Sequence, residues 1–496
     1  MRHFSIVVLL VLLGTCNLAL SQSKDSDKGQ FSGNLLMTYQ KYVRDDSIGA
    51  TTKVYKENTA SADAWLFMQY RIKGYSFILR YDAFNNSPLL DPQDAYTNHG
   101  IGFWQINKSV DKLDITMGSF YDQFGTGILF RAYEQRQIGI DYAIQGMRLK
   151  YNINDKWAVK GFAGNQKGNI KNRFGFANQV ISGLNIEGNI DLGKDSKYGA
   201  LQVGASAVNR TLDRETMDRL VGTINTYDLA DRFYPKYNVY GGNAYFTYTK
   251  DNFSWTVEGN VKSKEAIMDD NTKFYLRSGK VLYSSMSWGK GGWNLGGQKA
   301  SIGLNVQARH VDNFSFRTAP TENLLNGLVS YLPSMTRQNT YRLLSRYNAP
   351  GQAMGEDGIQ GEIEFKPRKG TQIFFNGSYV QTLASNGKLN TTTGVKEAEK
   401  LFSENYIEVV QKIGKHDKLK LGVQRIVYNQ TRYESEPEYV PVKTFTPFGE
   451  WLHTMNQGKS LRVEWQYLNT KNDQGSFANL MIEMFVNKNL SIAVAD

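Results

Sequence analysis

The chain has 496 residues, a formal net charge of +11 at pH 7 and a single cysteine, Cys16. Its mean hydropathy of −0.46 excludes a helical membrane protein, because no apolar segment long enough to span a bilayer follows the N-terminal region. Aromatic residues make up 13%, and 46 glycines stand against only 10 prolines. This composition is typical of an exported β-barrel, in which only alternate residues face lipid, and also of a secreted all-β enzyme.

The N-terminus predicts export. A basic residue, a short apolar run and the sequence Ala19-Leu20-Ser21 predict a Sec-type signal peptide over residues 1–21. Because Cys16 lies within this signal, the mature chain has no cysteine for a disulfide or a thiolate metal site. We expect residues 22–30 to form a short periplasmic segment and the protein to reside in the outer membrane.

Strand patterns follow from residue 31 onward. The clearest case runs from Ser460 to Tyr467, where apolar and aromatic residues alternate strictly with polar and charged ones. One apolar face and one charged face fit a lipid-facing exterior and a wet lumen. A soluble two-sheet sandwich shows the same alternation, but it must bury its apolar face in a core. For the barrel, alternation predicts which residues face lipid and which face inward. The lipid-facing residues are Tyr39, Leu184, Val306 and Trp465. The inward-facing residues are Gln40, Glu187, Gln307 and Glu464.

About twenty-one such segments occur, and their connections alternate between short turns and long polar loops. Outer-membrane proteins combine short periplasmic turns with long extracellular loops in this way. The predicted fold is therefore all-β, a large antiparallel transmembrane β-barrel over residues 31–496. Because single-chain bacterial barrels have an even strand count, we expect 22 or more strands in the complete barrel and a chain that is incomplete at its C-terminus.

Residues 118–148 form the most distinctive stretch, and we expect residues 122–141 within it to enter the lumen because their glycines permit tight turns. Their charges either staple the loop to the wall or also line a constriction, as rings of charge do in selective pores. An ordinary external loop is the third alternative. The aromatic residues are expected to pack the loop, with stacking on sugars as the alternative. The charged candidates are Arg131, Glu134, Arg136, Asp141 and Arg148, and the aromatic candidates are Tyr121, Phe124, Phe130 and Tyr133.

A second long connection, residues 310–358, is predicted to be an extracellular or lumen loop, since loops of this length are usually functional. Its part from Leu324 to Leu332 suggests a short helix. The loop interleaves basic and aromatic residues, which on an exported barrel favours lipopolysaccharide phosphate or a polyanionic glycan over a nucleic acid. The residues concerned are Arg337, Tyr341, Arg342 and Arg346.

Catalytic and metal-binding signals are weak in this sequence. The mature histidines share no metal-binding spacing and no HExxH pattern. No GxSxG nucleophile elbow occurs either. We therefore expect no metal, no cofactor and no catalytic residue, and an enzyme ranks third among the functional hypotheses.

Two stretches carry a resemblance to a known family. GSFYDQFGTGILFRAYEQRQIGIDYAIQGMRLKY, residues 118–151, and SMTRQNTYRLLSRYNAP, residues 334–350, resemble an uncharacterised family of exported β-barrel proteins from Bacteroidota, known only as a domain of unknown function. The resemblance implies an outer-membrane barrel and offers no catalytic residues to carry over.

These observations lead to two functional hypotheses. The first is a passive porin-like channel for small hydrophilic solutes, with a lumen constricted by residues 122–141. The alternative is a non-transporting barrel that serves as a structural or assembly subunit of an outer-membrane complex. The expected partners are outer-membrane lipid and lipopolysaccharide, with other envelope proteins as further candidates and no nucleic acid.

Overall fold

The structure, a computed structural model, describes residues 28–47, 49–87, 96–168, 172–268, 273–323, 325–351, 353–383, 397–434, 440–455 and 458–496. The predicted signal peptide and residues 22–27 of the predicted periplasmic segment lie outside these ranges. The chain divides into two compact units, and each is described by itself. Unit 1 comprises residues 1–120, 134–150 and 167–176, and unit 2 comprises residues 121–133, 151–166 and 177–496.

Strands dominate the chain, and 21 of them form an antiparallel sheet, which confirms the predicted all-β class and the predicted number of about twenty-one. Two further two-stranded sheets, β6–β7 and β8–β9, lie in the connection between β5 and β10. The strands are β1 (Gln30–Lys41), β2 (Ala60–Ile72), β3 (Tyr75–Ser87), β4 (Tyr96–Val110), β5 (Leu113–Phe120), β6 (Asp122–Phe124), β7 (Phe130–Ala132), β8 (Glu134–Gln135), β9 (Ile140–Asp141), β10 (Ile144–Asn152), β11 (Trp157–Lys167), β12 (Phe176–Asp191), β13 (Ala200–Thr211), β14 (Asn238–Lys250), β15 (Phe253–Met268), β16 (Phe274–Leu295), β17 (Gln298–Asp312), β18 (Gly355–Arg368), β19 (Thr371–Gln381), β20 (Lys400–Ile413), β21 (Asp417–Tyr428), β22 (Val442–Thr454), β23 (Ser460–Leu468), β24 (Phe477–Asn487) and β25 (Leu490–Ala495).

Helices are short and lie in the connections. The α-helices are α1 (Lys53–Glu57), α2 (Arg214–Asn225) and α3 (Gln430–Glu434), and the 3-10 helices span Arg136–Ile138, Lys194–Ser196 and Leu229–Asp231. In the part of the chain that the structure describes, no helix has both the length and the apolar character needed to cross a membrane.

In unit 1, strands β1 to β5 pair antiparallel, each with its neighbour along the chain. The turn between β2 and β3 consists of only Lys73 and Gly74, both in the left-handed region with φ of 49° and 75°. This conformation is that of a type I′ hairpin turn, whose twist matches the twist of the flanking strands and which favours glycine at its second position. The turn therefore fixes the register of β2 against β3.

In unit 2, strands β12 to β25 likewise pair in chain order. Two residues join β14 to β15, β16 to β17, β18 to β19 and β24 to β25. Between these tight turns lie much longer connections, of which residues 212–237 and 313–354 are the longest. The predicted alternation of short and long connections is therefore confirmed.

The two faces of the strands in unit 2 differ in an unusual way. Leu184, Ile359 and Trp465 are 56%, 52% and 41% exposed, so the apolar face lies at the surface. The opposite face carries polar and charged side chains that are buried, such as Glu404 and Glu464. A soluble sandwich buries its apolar faces in a core, so the sandwich alternative is wrong for these strands.

The predicted orientations agree with this pattern at most positions. Leu184 and Trp465 lie on the exposed apolar face and Val306 is half-buried. Gln307 takes part in hydrogen bonds of the polar face. On β1, all twelve residues are exposed, so burial does not distinguish Tyr39 from Gln40.

Helix α2 is the longest helix in the described residues. Its apolar side chains recur at Met217, Leu220 and Ile224 and are buried against residues of β15, β16 and the 313–354 connection. Asp213 caps its N-terminus by accepting a hydrogen bond from the Thr216 backbone N–H at 3.1 Å. Burial acts to raise the pKa of Asp213, but hydrogen bonds from Thr216 and Gln179 outweigh it and hold the pKa below its ordinary value.

Replacing Asp213 by alanine should destabilise α2 by about 1 kcal/mol, the usual cost of losing an N-cap. The depressed pKa means that the capping contribution is present above the ordinary pKa of 3.8 and is lost as the pH falls through the lower folded value. Amide hydrogen exchange over residues 214–225 measures both effects. Asp213→Asn, which keeps a capping side chain, is the matched control and should stay protected. Equal protection in the alanine variant and the native protein would contradict the capping role.

Candidate functional site

A cluster of buried charges lies on the polar side of unit 1. Arg80 on β3 contacts three carboxylates, those of Asp82 at 2.7 Å, Glu134 at 2.5 Å and Asp141 at 3.0 Å. Lys167 adds a second cation 2.8 Å from Asp141, and it also donates to the Gly102 carbonyl. We call Arg80, Asp82, Glu134, Asp141 and Lys167 the Arg80 cluster.

The Arg80 cluster holds a small hairpin, residues 134–141. Strand β8 pairs with β9, so Glu134 lies opposite Asp141, and both carboxylates point to Arg80. Gly139 closes the hairpin in the left-handed region with φ of 72°, a conformation that favours glycine. The Arg173 guanidinium donates to the Gly139 carbonyl at 2.6 Å. The hairpin is therefore fastened at both strands and at its turn.

Arg136 fastens the same hairpin from its exposed side. Its Nε lies 3.1 Å from the Glu134 carboxylate, and its guanidinium lies 4.6 Å from the centroid of the Phe67 ring on β2.

Burial acts to raise the pKa of Asp141, but the charges of Lys167, Arg80 and Arg173 outweigh it and hold that pKa below its ordinary value. Asp141 is thus kept as a carboxylate that its partners neutralise.

In unit 2, residues 121–133 form a hairpin of β6 and β7 that packs through aromatic rings. Phe124 and Phe130 are completely buried and contact Phe162 on β11, with ring centroids 5.6 Å and 4.4 Å from it. The Thr126 backbone N–H donates to the buried Glu258 carboxylate on β15 at 2.7 Å. Lys160 and Asp122 form an ion pair at 2.6 Å.

Arg131 joins this hairpin to the 313–354 connection, which we call the long loop. The Arg131 guanidinium lies 4.7 Å from the Tyr133 ring centroid and 4.2 Å from that of Tyr331. The Arg131 backbone N–H donates to the Val329 carbonyl, and the Tyr331 N–H donates to the Ile128 carbonyl. The two segments of unit 2 therefore contact each other through backbone and side chains.

Basic residues on the strands bind backbone carbonyls of the long loop. Lys262 on β15 donates to the Ser315 carbonyl at 2.6 Å, and Arg210 on β13 donates to the Thr318 carbonyl at 3.3 Å. Arg210 and Lys262 are themselves paired with the buried Glu265 carboxylate. Arg309 on β17 donates to the Pro333 carbonyl and pairs with Glu356. Three buried cations thus hold the loop at three points.

Acceptor groups on the strands bind donors of the same loop. Glu404 on β20 accepts hydrogen bonds from the Thr336 hydroxyl at 2.9 Å and from the Arg337 backbone N–H at 3.1 Å. The Gln466 side chain on β23 accepts from the Leu343 N–H at 2.7 Å. Tyr341 donates to the Glu450 carboxylate at 3.0 Å.

Glu404 also belongs to a row of hydrogen bonds that crosses six adjacent strands, β16 to β21. The Tyr283 hydroxyl donates to Gln307, the Gln307 amide donates to Gln360, and the Gln360 amide donates to Asn376. The Asn376 amide then donates to Glu404, which accepts from Gln424 on its other side. We call these residues the polar row, which comprises Tyr283, Gln307, Gln360, Asn376, Glu404 and Gln424.

A polar cavity of about 500 Å³ lies between the long loop and the strands β17 and β18. Gln307 and Gln360 of the polar row lie at its wall, and residues 331–338 of the long loop close it. Arg337 also lines the cavity, where it forms an ion pair with Glu362. This cavity is the candidate binding site of unit 2.

The remaining predicted residues are placed as follows. Arg148 lies on β10, where its guanidinium donates to Thr116 and lies over the Phe120 ring, so it belongs to the strands and not to the 122–141 segment. Tyr121 is half-buried and Arg342 is exposed. Arg346 contacts Asp473 at 3.4 Å and lies over the Phe477 ring. Within the described part of 324–332, the backbone forms turns and a bridge to Arg317 where a helix was expected.

No sequence signal marks Arg80, Lys167, Glu258 or Glu404 as site residues. They lie on ordinary alternating strands, and only their burial distinguishes them from other inward-facing charges. Among the described residues, no group of three or more histidine, cysteine, aspartate or glutamate side chains is placed to hold a metal ion.

Comparison with known proteins gives one family match and several distant structural likenesses. The model of a family of unknown function, DUF6029, matches residues 1–496. No curated protein matches the chain. Among solved structures, OpdK of Pseudomonas aeruginosa, solved with vanillate, is 6% identical, with 94% of this chain and 98% of that chain covered and a TM-score of 0.40. OccAB3 of Acinetobacter baumannii is 8% identical, with 94% and 98% covered and a TM-score of 0.39. Such TM-scores are too low to support a conclusion about this chain.

Replacing Asp141 by asparagine should release the 134–141 hairpin, because Lys167 and Arg80 then lose a buried carboxylate. Breaking a buried ion pair from one side costs about 3–5 kcal/mol. The depressed pKa of Asp141 implies the same release in the native protein under acid, since its contribution is present above pH 3.8 and is lost as the pH falls through the lower folded value. Trypsin cleavage after Arg136 at neutral pH measures the release in the variant.

Asp111→Asn is the matched control for this variant, because Asp111 lies at the exposed turn between β4 and β5. It should leave cleavage at Arg136 unchanged. If the Asp141 variant and the control resist trypsin equally at neutral pH, the Arg80 cluster does not fasten the hairpin.

Proposed function

We propose, for a chain that belongs to the DUF6029 family of unknown function, that the protein is a passive porin-like channel of the outer membrane for small hydrophilic solutes. In this proposal the 21-stranded sheet forms a transmembrane barrel, its apolar face contacts lipid and its polar face lines the lumen.

The observation that carries the proposal is the distribution of burial between the two strand faces of unit 2. Side chains such as Leu282, Ile359 and Leu480 are about half exposed along the apolar face, whereas Glu258 and Glu356 on the polar face are completely buried. Exposed apolar area costs roughly 25 cal/mol per Å² in water, and extended patches of it mark membrane or protein contacts. Lipid removes this cost over the whole face.

The backbone supports the same environment. Inside a bilayer every N–H and C=O group needs a partner within the protein, and closed antiparallel sheets are the strand arrangement that provides one. The tight turns and long connections alternate in unit 2, as they do between the two rims of outer-membrane barrels.

The lumen in this proposal is narrowed by residues 122–141, as the charged candidates of that segment suggest, and by the long loop. Buried charges of the strands bind both segments: the Arg80 cluster binds residues 134–141, Glu258 binds Thr126, and Glu404 binds Thr336. Segments held by so many contacts would restrict passage to solutes that fit between them and the wall.

One observation is also compatible with the alternative, a non-transporting barrel that acts as a structural or assembly subunit of an outer-membrane complex. Five apolar side chains of the long loop, those of Phe314, Phe316, Val329, Met335 and Leu344, are completely buried. A loop that packs so tightly would suit a filled lumen as well as a narrow one. Conductance separates the two functions, because a filled barrel passes no ions.

The orientation of the strand faces can be tested with single cysteines, since no cysteine follows Cys16 in the chain. In lipid vesicles, Val306→Cys should react with a thiol reagent dissolved in the bilayer, and Gln307→Cys should react only with a water-soluble reagent. Trp465→Cys and Glu464→Cys form a second matched pair on β23. If the Val306→Cys or the Trp465→Cys variant is labelled by the water-soluble reagent alone, the apolar face is not in lipid.

Channel function can be tested by single-channel recording of the purified protein in planar bilayers. We expect a small conductance for the native chain and a severalfold larger one after deletion of residues 124–139, because the deletion removes part of the obstruction. Retained heat-modifiable migration in gels would serve as the control for an intact barrel. Unchanged conductance in an intact deletion variant would contradict the constriction, and no conductance in either protein would favour the structural subunit.

A further inference from the structure

The cavity between the long loop and strands β17 and β18 has the composition of a binding site. Four of its side chains are amides and two are aliphatic hydroxyls, and its volume of about 500 Å³ lies within the usual range of about 300–1,000 Å³ for small-molecule sites. The amides are Asn305, Gln307, Gln338 and Gln360, and the hydroxyls are Ser334 and Thr336.

The charged residues of the cavity neutralise each other. Arg337 and Glu362 form an ion pair across the cavity wall. The Arg337 guanidinium also lies over the rings of Phe374 and Tyr406, 5.1 Å and 4.7 Å from their centroids. An anionic solute would have to replace Glu362, and a cationic solute would have to replace Arg337. The site therefore favours a solute without net charge.

The amides divide into two fixed groups and two adaptable groups. Gln307 and Gln360 are oriented by the polar row, because each donates to the next residue and accepts from the previous one. Within the described residues, Asn305 and Gln338 make no side-chain hydrogen bond, and both are exposed. Each of these two amides offers two donors and an acceptor to a solute.

Tyr331 supplies an aromatic ring that other contacts hold in position. The Arg131 guanidinium lies 4.2 Å from its centroid, and Tyr133 approaches it edge-on at 5.7 Å. A ring that is positioned before the ligand arrives costs less entropy on binding. The hairpin of residues 121–133 thus contributes to the cavity without lining it.

We infer that this cavity binds a neutral polyhydroxylated solute of the size of a small sugar, an inference that rests on the proposed channel function. Hydroxyl groups both donate and accept hydrogen bonds, which matches amides that do the same. The paired charges of Arg337 and Glu362 offer no free charge to an ionic competitor. The channel is then selective for uncharged carbohydrates among small hydrophilic solutes.

Titration calorimetry with the purified full-length protein in detergent tests this inference. Maltose serves as the neutral probe, and gluconate and glucosamine serve as the anionic and cationic probes. We expect maltose to bind and the charged probes to bind at least tenfold more weakly. Asn305→Leu and Gln338→Leu should each weaken maltose binding about tenfold, the loss expected for one or two hydrogen bonds.

The matched control is Asn294→Leu, because Asn294 is equally exposed but lies at the far end of β16 beside the turn to β17. Its maltose affinity should equal that of the native protein. Absence of maltose binding, equal binding of the charged probes, or unchanged binding in both cavity variants would overturn the inference.

Conductance of the same preparation separates the two proposals. Maltose binding without any conductance would support the carbohydrate site and contradict the channel function. Conductance without maltose binding would keep the channel and overturn the carbohydrate site.

Discussion

A charge removed from water must be paired or hydrogen-bonded, and this requirement organises the polar faces of both units. In unit 2 the buried cations pair with carboxylates of the strands and also bind backbone groups of the long loop. Lys262 and Arg210 bind its carbonyls, and Glu404 accepts from an N–H and a hydroxyl of the loop. These contacts give partners to the buried charges of the strands and also to the polar backbone groups of the loop, which need partners when the loop is buried. Loop and strands therefore stabilise each other, and neither would be stable in this arrangement alone.

Unit 1 meets the same requirement with side chains. Arg80 is in contact with three carboxylates, and the hairpin of residues 134–141 supplies two of them. The difference follows from local structure. The hairpin already pairs its own backbone groups between β8 and β9, so it attaches chiefly through side chains. The long loop, in its described residues, also offers backbone groups to the strands.

The strands were predictable because alternation is a local property of sequence. For the same reason the sequence predicted which strand face carries Leu184 and Trp465 and which carries Glu464. The contact of Arg136 with Glu134 also follows from nearness along the chain. Partners 54 residues apart, such as Arg80 and Glu134, depend on strand register and left no signal in the sequence. The position of Arg131 between two tyrosine rings left no such local signal, because a distant loop brings Tyr331 to it. Docking of the loop backbone likewise replaced the helix suggested for Leu324 to Leu332.

From the Tyr283 hydroxyl to the Glu404 carboxylate, the polar row runs in one direction, and Gln424 donates to Glu404 from the opposite side. The donor and acceptor ends of one amide can be exchanged only if those of its neighbours are exchanged as well. The Glu404 carboxylate, which can only accept, therefore fixes the orientation of the polar side chains on four strands. Amino acids at these positions should therefore change together during evolution. A chain that lost the acid on β20 would need a new acceptor at the end of the row, or it would have to reverse the order of donors and acceptors along its whole length.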